Sequence, residues 1–146
     1  MSERTVFQSM PRRHVVCLGA QAMVYEAACV MSAAQCGSVL VMEAPDTLLG
    51  IVTERDLMTR VLARALDPAR TPLSAVMTPN PVRIRPETRV ADAVVIMLER
   101  GFRHLPVVDA HGKVLGVFSA RDALPREIGQ AVSVAEFNEQ VNDALG

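Results

Sequence analysis

The sequence predicts an α+β protein built from two similar βαββα units. The first observation is a repeat: residues 50–56 (GIVTERD) recur 66 positions later as residues 116–122 (GVFSARD), and the ungapped similarity begins near Val16 and Val82. The second is that both copies show the same succession of strand-like and helix-like apolar patterns. A repeat of this kind indicates structural units that bury their apolar faces against each other.

Three strands per unit are predicted from short apolar runs that end at turn residues. These runs are residues 15–18, 38–42 and 48–52 in the first copy and residues 81–86, 105–108 and 114–118 in the second. The last two runs of each copy are separated by Pro, Asp or Gly, which are typical of tight turns. We therefore expect one hairpin in each unit.

A helix between the first and second strands is predicted by an apolar stripe at helical spacing. The stripes are Val24, Ala27, Ala28 and Met31 in the first copy and Val90, Ala93, Val94 and Met97 in the second. Thr88 is the expected N-cap of the second helix and Gly101 its expected end. Further apolar residues (Met23, Cys29, Val30, Val95, Ile96, Leu98) surround both stripes, which predicts burial on two sides and hence a homodimer.

A second helix is expected after each repeated heptapeptide. The first is predicted over residues 54–66, and Pro125 is expected to cut the second short. A helical turn is expected at residues 73–77. A terminal helix is predicted over residues 131–144, with Ser133 as its cap and Glu136 completing a capping box.

Composition argues against several classes of function. The 146 residues suit one compact domain or two tightly fused halves, and a net charge of −1 offers no basic surface for nucleic acid or an anionic membrane. The N-terminus carries no apolar run, and Glu26 interrupts the most apolar stretch, residues 20–42. We expect a cytoplasmic protein with no membrane span and no nucleic-acid partner.

Neither the cysteines nor the histidines show metal-ligand spacing. Cys17, Cys29 and Cys36 are odd in number and form no C-x-x-C pair, and the histidines are His14, His104 and His111. Buried free thiols and no metal site are therefore expected. His104 is expected to be a partly buried, hydrogen-bonded residue rather than a catalytic one.

The repeated Gly-x-x-Thr/Ser-x-Arg-Asp signature is the strongest candidate for a ligand site. Thr53 stands where a strand becomes a helix, so its hydroxyl and the free amide groups there suit a phosphate. A carboxylate three residues on, Asp56, can accept hydrogen bonds from the vicinal hydroxyls of a ribose. Arg55 supplies nearby positive charge. Ser119, Arg121 and Asp122 repeat the arrangement.

A helix cap explains part of the same pattern without any ligand. Thr-x-x-Asp and Ser-x-x-Asp are close to a capping box. A cap, however, requires neither the repeated glycine nor the repeated arginine, so both interpretations stay open.

The repeated unit resembles the cystathionine-β-synthase (CBS) domain, and the chain resembles a free-standing CBS pair, or Bateman module. The resemblance rests on five segments in order, GSVLV (residues 37–41), GIVTERD (50–56), VMTPNPV (76–82), GFRHLPVV (101–108) and GVFSARD (116–122). It implies two repeats in a pseudo-twofold arrangement, with small mixed sheets packed on helices. The expected organisation is repeat 1 at residues 10–66, a linker at 67–80, repeat 2 at 81–128 and a C-terminal helical extension at 129–146.

The resemblance also implies a ligand and its contacts. Such pairs typically bind AMP, ADP, ATP, and in some cases NAD(H) or S-adenosylmethionine, in clefts between the repeats, need no other cofactor, and dimerise into a disc. The matching positions are Thr53, Arg55, Asp56, Ser119, Arg121 and Asp122 at the signatures, Ser38, Val39, His104 and Leu105 beside the base, Cys17, Val82 and Arg83 on the first strands, and Arg60 for phosphates.

The two copies differ in sequence, so their clefts are expected to differ in affinity for a nucleotide. In the extreme case, one cleft stays empty. The function indicated is a non-catalytic nucleotide sensor that acts in signal transduction on an unknown effector protein. Two alternatives remain: a structural dimer or adaptor whose signatures are only caps, and a nucleotide-hydrolysing enzyme, for which the sequence offers no clear general base.

Overall fold

The computed structural model describes residues 3–10 and 15–145, and it has the predicted α+β architecture. The helices are α1 (Val6–Ser9), α2 (Val24–Ala34), α3 (Glu54–Asp56), α4 (Val90–Arg100) and α5 (Pro125–Leu145). The strands are β1 (Cys17–Leu18), β2 (Ser38–Glu43), β3 (Thr47–Thr53), β4 (Thr78–Pro79), β5 (His104–Val108) and β6 (Val114–Ser119). π-helical turns (Leu57–Leu62) extend α3, and 3-10 turns cover Leu73–Ala75 and Ala120–Asp122.

Each repeat contains the predicted hairpin, β2–β3 in the first and β5–β6 in the second. In the first repeat, β1 joins β2 in parallel and β4 joins β3 antiparallel, which gives a sheet in the order β1-β2-β3-β4. In the second repeat, the segment predicted as a strand over residues 81–86 forms only a single parallel bridge, Ile84 to Val107. The predicted six-residue strand was wrong: only Ile84 pairs with β5, where its amide donates to Pro106 O and its carbonyl accepts from the Val108 amide, and the prolines at the two ends cannot extend the ladder.

The apolar stripes form the core as predicted. Val24, Ala27 and Met31 on α2 pack on one side of the first sheet, and Val90, Ala93, Val94 and Met97 on α4 pack on the second. A third cluster joins the two repeats through their strands and consists of Leu40, Ile51, Val108 and Val114.

The chain segments before β1 and before β4 are exchanged between the repeats. In the segment before β1, the Val6 amide donates to Thr88 O and the Val90 amide donates to Arg4 O, so this segment packs on the second repeat. In the segment before β4, the Leu73 amide donates to Ala22 O in the first repeat. The segment that precedes the first repeat therefore packs on the second repeat, and the segment that precedes the second repeat packs on the first. The domain boundaries given above stay a proposal.

The two repeated glycines accommodate these exchanged segments. A Cβ atom on Gly50 would lie 2.6 Å from Met77 Sδ and 2.8 Å from Thr78 O, and one on Gly116 would lie 2.7 Å from Met10 Cε. The Thr78 carbonyl is backbone and cannot move aside, so Gly50 is explained by packing inside the protein, whereas at Gly116 the nearest atom is the end of the flexible Met10 side chain.

Several helix predictions were wrong in detail. The helix predicted over residues 54–66 is α-helical only to Asp56 and ends at Leu62 after the π-helical turns. The N-cap of α4 is Arg89, without a side-chain cap bond, because the Thr88 carbonyl is engaged by Val6. Gly101 does end α4, with a left-handed φ of 76°.

The terminal helix is longer than predicted. It begins at Pro125, where a proline is favourable in the first turn, and not near Ala131. Ser133 lies inside the helix and its hydroxyl donates to Gly129 O at 3.1 Å. The side chain that caps α5 is Glu127, whose Oε1 accepts from the Leu124 amide at 2.8 Å.

The cysteines correct another prediction. Cys17 and Cys29 are exposed and Cys36 is half-buried, so the expectation of buried thiols was wrong. Cys29 lies on the face of α2 that points away from the sheet, and Cys17 lies on the short edge strand β1. These positions are open in the single chain.

Candidate functional site

Two clefts lie between the repeats, and each contains one of the repeated signatures. The larger cleft, about 740 Å³, contains Thr53 and Asp56 and is called the Asp56 cleft. The smaller, about 260 Å³, contains Ser119 and Asp122 and is called the Asp122 cleft. Each combines a signature from one repeat with backbone from the other, because the exchanged segments bring residues 78–82 to the first and Met10 to the second.

The Thr53 corner forms a capping box. Asp56 Oδ2 accepts from the Thr53 amide at 2.9 Å and from the Thr53 hydroxyl at 3.1 Å, and Thr53 Oγ1 accepts from the Asp56 amide at 3.3 Å. The box is possible because Thr53 remains extended, with φ −112° and ψ 165°, while the next residue turns into α3. The capping interpretation of the sequence is therefore realised at this corner.

The Ser119 corner is a weaker version of the same turn. Asp122 Oδ2 accepts from the Ser119 amide at 3.0 Å, and Ser119 Oγ accepts from the Arg121 amide at 3.4 Å. Only a 3-10 turn follows, because the chain must leave it before Pro125 starts α5. This corner is also a capping box, but the Ser119 hydroxyl accepts at 3.4 Å, whereas the Thr53 hydroxyl both donates, at 3.1 Å, and accepts, at 3.3 Å.

Arginine side chains distinguish the two clefts. Arg55, Arg60 and Arg103 line the Asp56 cleft together with the acidic Glu54 and Asp56, whereas Arg121 and Asp122 are the charged pair among the described residues of the Asp122 cleft. The described lining of the larger cleft therefore carries one net positive charge, and the charges of Arg121 and Asp122 cancel. A cationic cleft attracts phosphate groups.

Arg60 is already held in place by the protein. Its Nη1 donates to Val76 O at 3.0 Å and to Met77 O at 3.2 Å, and its Nε lies 3.7 Å from Asp56 Oδ1. These bonds connect the signature helix to the exchanged segment that precedes β4. The remaining guanidinium nitrogen is available to a ligand without loss of these contacts.

His104 stands at both clefts. It begins β5, pairs with Ser119 of β6 and belongs to the lining of both cavities. Burial lowers the pKa of the His104 imidazole, the nearby Glu54 carboxylate opposes that shift, and the positive charges of Arg121 and Arg103 add to it. His104 is partly buried, as expected, while its hydrogen bond and its non-catalytic role stay predictions.

The structure brings most of the predicted site residues to the clefts, but not all of them. Those at the Asp56 cleft are Thr53, Arg55, Asp56, Arg60, Val82 and His104, and those at the Asp122 cleft are Ser38, Ser119, Arg121, Asp122 and His104. The others do not line either cleft: Val39 and Leu105 are fully buried in the core, Cys17 is exposed on β1, and Arg83 bonds Pro81 O and Asn80 Oδ1. Their ligand roles stay predictions.

Some cleft residues were missed by sequence reasoning. Phe102, Arg103 and Thr78 line the Asp56 cleft, and Cys36, Gly37 and Met10 line the Asp122 cleft. The sequence did carry a signal for two of them. Gly37 and Arg103 occupy equivalent positions in the two repeats, and each directly precedes a strand that contains predicted site residues. No local pattern in the sequence shows that each of these strands faces the signature of the other repeat.

Two βαββα units with a common core and two clefts between them define a paired-repeat module. The chain belongs to the CBS domain family, whose model matches residues 7–63 and 73–127. This confirms the resemblance described above and accounts for both repeats.

Curated relatives extend the family assignment to larger proteins. The chain is 32% identical over 143 residues to a CBS domain-containing protein of Arabidopsis thaliana, and covers 26% of that protein. It is 37% identical over 99 residues to an uncharacterised 17.7 kDa protein of Acidianus ambivalens, and covers 58% of it. The alignments include 98% and 68% of this chain, so it spans only part of the length of these relatives.

Solved structures show the same fold. A CBS-domain-containing protein of Agrobacterium tumefaciens is 32% identical, with a TM-score of 0.72 and coverage of 90% of this chain and 98% of that one. A CBS domain protein of Pyrobaculum aerophilum, complexed with AMP, is 25% identical, with a TM-score of 0.78 and coverage of 90% and 100%. None of these four proteins is named as an enzyme.

Within residues 3–10 and 15–145, no helix is both long and apolar enough to cross a membrane. In the same part of the chain, no three or more His, Cys, Asp or Glu side chains group so as to hold a metal ion.

Proposed function

We propose that the protein is a non-catalytic regulatory module that binds an adenine nucleotide, of the AMP, ADP, ATP or NAD(H) type, in the Asp56 cleft. One observation carries this proposal: the cleft combines a hydroxyl–carboxylate corner with three arginines in a cavity of about 740 Å³. Cavities of roughly 300–1,000 Å³ are typical of small-molecule sites. The AMP complex of the related Pyrobaculum protein supports the choice of ligand class.

The arrangement suits the three parts of a nucleotide. Arg55, Arg60 and Arg103 offer charge-assisted donors to phosphate oxygens. Asp56 can accept from ribose hydroxyls through Oδ1, since Oδ2 is occupied by the cap. The exposed ring of Phe102 offers a face on which a purine can stack.

The Asp122 cleft is expected to bind more weakly or to stay empty. Its volume of about 260 Å³ is below the usual range, and the Met10 side chain fills the space beside Gly116. Among the described residues of its lining the charges of Arg121 and Asp122 cancel, so these residues attract phosphate less than the three arginines of the larger cleft do.

Signalling requires that ligand binding changes a surface that another molecule contacts. Large apolar side chains are exposed on the helices of both repeats, among them Tyr25, Met58, Leu62, Leu98 and Phe137. We propose that a homodimer buries part of this surface and that an effector protein responds to a ligand-dependent change in the geometry of the pair. A ligand shifts such an equilibrium only if it prefers one state.

Thermal unfolding with a panel of AMP, ADP, ATP, NADH and S-adenosylmethionine tests the proposal. A ligand at a hundred times its Kd adds about 2.7 kcal/mol to the free energy of unfolding, which raises Tm by several degrees. Asp56→Asn should abolish most of that rise, because it removes the charge while the amide oxygen still accepts from Thr53. Asp122→Asn, the same change at the equivalent position, should leave it intact.

A structural adaptor is the second candidate, because both signatures make cap bonds within the protein. If no nucleotide of the panel changes Tm, the adaptor function is correct and the sensor is not. If Asp122→Asn rather than Asp56→Asn removes the rise, the choice of cleft is wrong. Formation of ADP from ATP by the purified protein would instead indicate a hydrolase.

A further inference from the structure

His104 is the only residue that lines both clefts among the described residues of the two linings. Its place at the start of β5, opposite Ser119 of β6, puts the imidazole between the two signatures. A charge on this ring would therefore act on an anion in either cleft. The equivalent residue of the first repeat, Ser38, cannot carry a charge.

The space for the imidazole depends on a glycine and an acid from the other repeat. A Cβ atom on Gly37 would lie 3.1 Å from His104 Nε2 and 3.0 Å from Glu54 Oε1, so the ring and the carboxylate converge above this glycine. The equivalent positions in the second repeat are Arg103 and Ala120. The pairing of a histidine with a glutamate thus does not recur at the equivalent positions of the other repeat, and the internal symmetry does not require it.

Charges of both signs surround His104 among the described residues. Glu54 faces it from α3 and Asp122 from the turn after β6, while Arg121 lies on that same turn and Arg103 precedes it in the chain. Burial between the two clefts lowers the pKa of His104 and favours the neutral ring, so the imidazole is mostly unprotonated near neutral pH when no ligand is bound. A phosphate that enters a cleft adds negative charge and favours the imidazolium.

We propose that His104 takes up a proton from solvent when a nucleotide phosphate enters a cleft, so that this residue selects anionic over neutral ligands in a pH-dependent manner. The inference rests on the proposed nucleotide binding and names a charge-selecting residue for it. Affinity for a phosphate ligand then rises as the pH falls through the pKa of the bound state and levels off below that of the free state. Each unit by which binding raises the pKa of His104 corresponds to about tenfold in affinity.

Calorimetric titration with AMP tests the inference on the full chain. Titrations between pH 8 and pH 5.5, in buffers with different enthalpies of ionisation, measure the number of protons taken up. We expect the wild type to take up more protons than His104→Gln, and its affinity to rise by up to about tenfold more across this range for a shift of one unit. The AMP phosphate also titrates in this range in both proteins, so proton uptake is compared between them and not read from the wild type alone.

His111→Gln is the matched control. His111 lies in the exposed turn between β5 and β6, lines neither cleft, and should leave proton uptake at the wild-type value. Adenosine, which carries no phosphate, should bind the wild type without proton uptake at His104. If His104→Gln takes up as many protons with AMP as the wild type, the inference is wrong.

A direct measurement covers the case in which His104→Gln fails to fold or to bind. The NMR titration of the His104 ring in the wild type should move to higher pH when AMP saturates the protein, and an unchanged titration overturns the inference. If AMP binds to the wild type with no proton uptake, the inference fails while the nucleotide sensor stands. If no nucleotide binds at any pH, the proposed function itself fails.

Discussion

The ion pair between Arg4 and Glu127 provides a test of how the exchanged N-terminal segment holds the second repeat together. Arg4 Nη2 lies 2.7 Å from Glu127 Oε1, Arg4 Nε lies 3.1 Å from Oε2, and Nη2 also donates to Asp122 O at 3.1 Å. The Glu127 side chain is 5% exposed and that of Arg4 is 28% exposed. We predict that Arg4→Ala strongly destabilises the protein.

The magnitude follows from the carboxylate that is left behind. Removal of one partner from a buried pair costs about 3–5 kcal/mol, since the other charge stays buried without compensation. Arg4 is partly exposed, so water can replace some of its bonds and the expected loss is at the lower end, about 3 kcal/mol. At about 2–4 °C per kcal/mol for a chain of this size, Tm should fall by about 6–12 °C.

The pair can be replaced as well as broken. The position 66 residues before Glu127 is Val61, which is 1% exposed and belongs to the apolar core of the first repeat. The double change Arg4→Leu with Glu127→Val should therefore recover most of the lost stability, because apolar replacements of buried ion pairs are often neutral or stabilising. Loss of the bond to the Leu124 amide should keep the recovery incomplete.

Urea unfolding followed by circular dichroism at pH 7 and pH 4 measures these effects. The hydrogen bonds from Arg4 lower the pKa of Glu127, so the stabilisation is present above the unfolded-state pKa and is lost as the pH falls through the folded-state pKa. Arg89→Ala is the control, because Arg89 pairs with Glu3 and Asp92 while 57% exposed and should matter little. If Arg4→Ala costs no more than Arg89→Ala, the reasoning is wrong.

Three further predictions follow from the packing. Gly50→Ala should lower Tm and any nucleotide-dependent rise in a thermal-shift assay, because its Cβ would meet Thr78 O at 2.8 Å, whereas Gly19→Ala, with nothing within 4 Å, should change neither. Phe118→Ala, at a fully buried position, should cost roughly 3–5 kcal/mol in urea unfolding. Burial lowers the pKa of His104, so the unfolded chain binds this proton more readily, and the ligand-free wild type should lose stability below about pH 6.5; His104→Gln should lose less between pH 7.5 and 5.5.

The candidate site shows where sequence reasoning succeeds and where it stops. The corner at Thr53 and Asp56 was predictable because a hydroxyl and a carboxylate three residues apart at the end of a strand make local bonds of the capping type. The partners across the cleft were not predictable in the same way. Phe102 and Arg103 approach Asp56 only because the two repeats pack with their strands together, and that packing leaves no local pattern in the chain.

Several features could be predicted from the sequence because each depends on periodicity or on a single residue's backbone preference: the repeat, the two hairpins, the apolar stripes of α2 and α4, and the end of α4 at Gly101. Tertiary structure alone decided that Met10 packs on Gly116 and Met77 on Gly50, that Glu127 is buried against Arg4, and that His104 belongs to two clefts. The physical reason is the range of the interactions. Contacts between residues a hundred positions apart are selected by the packing of whole units, so neighbouring residues in the chain do not encode them.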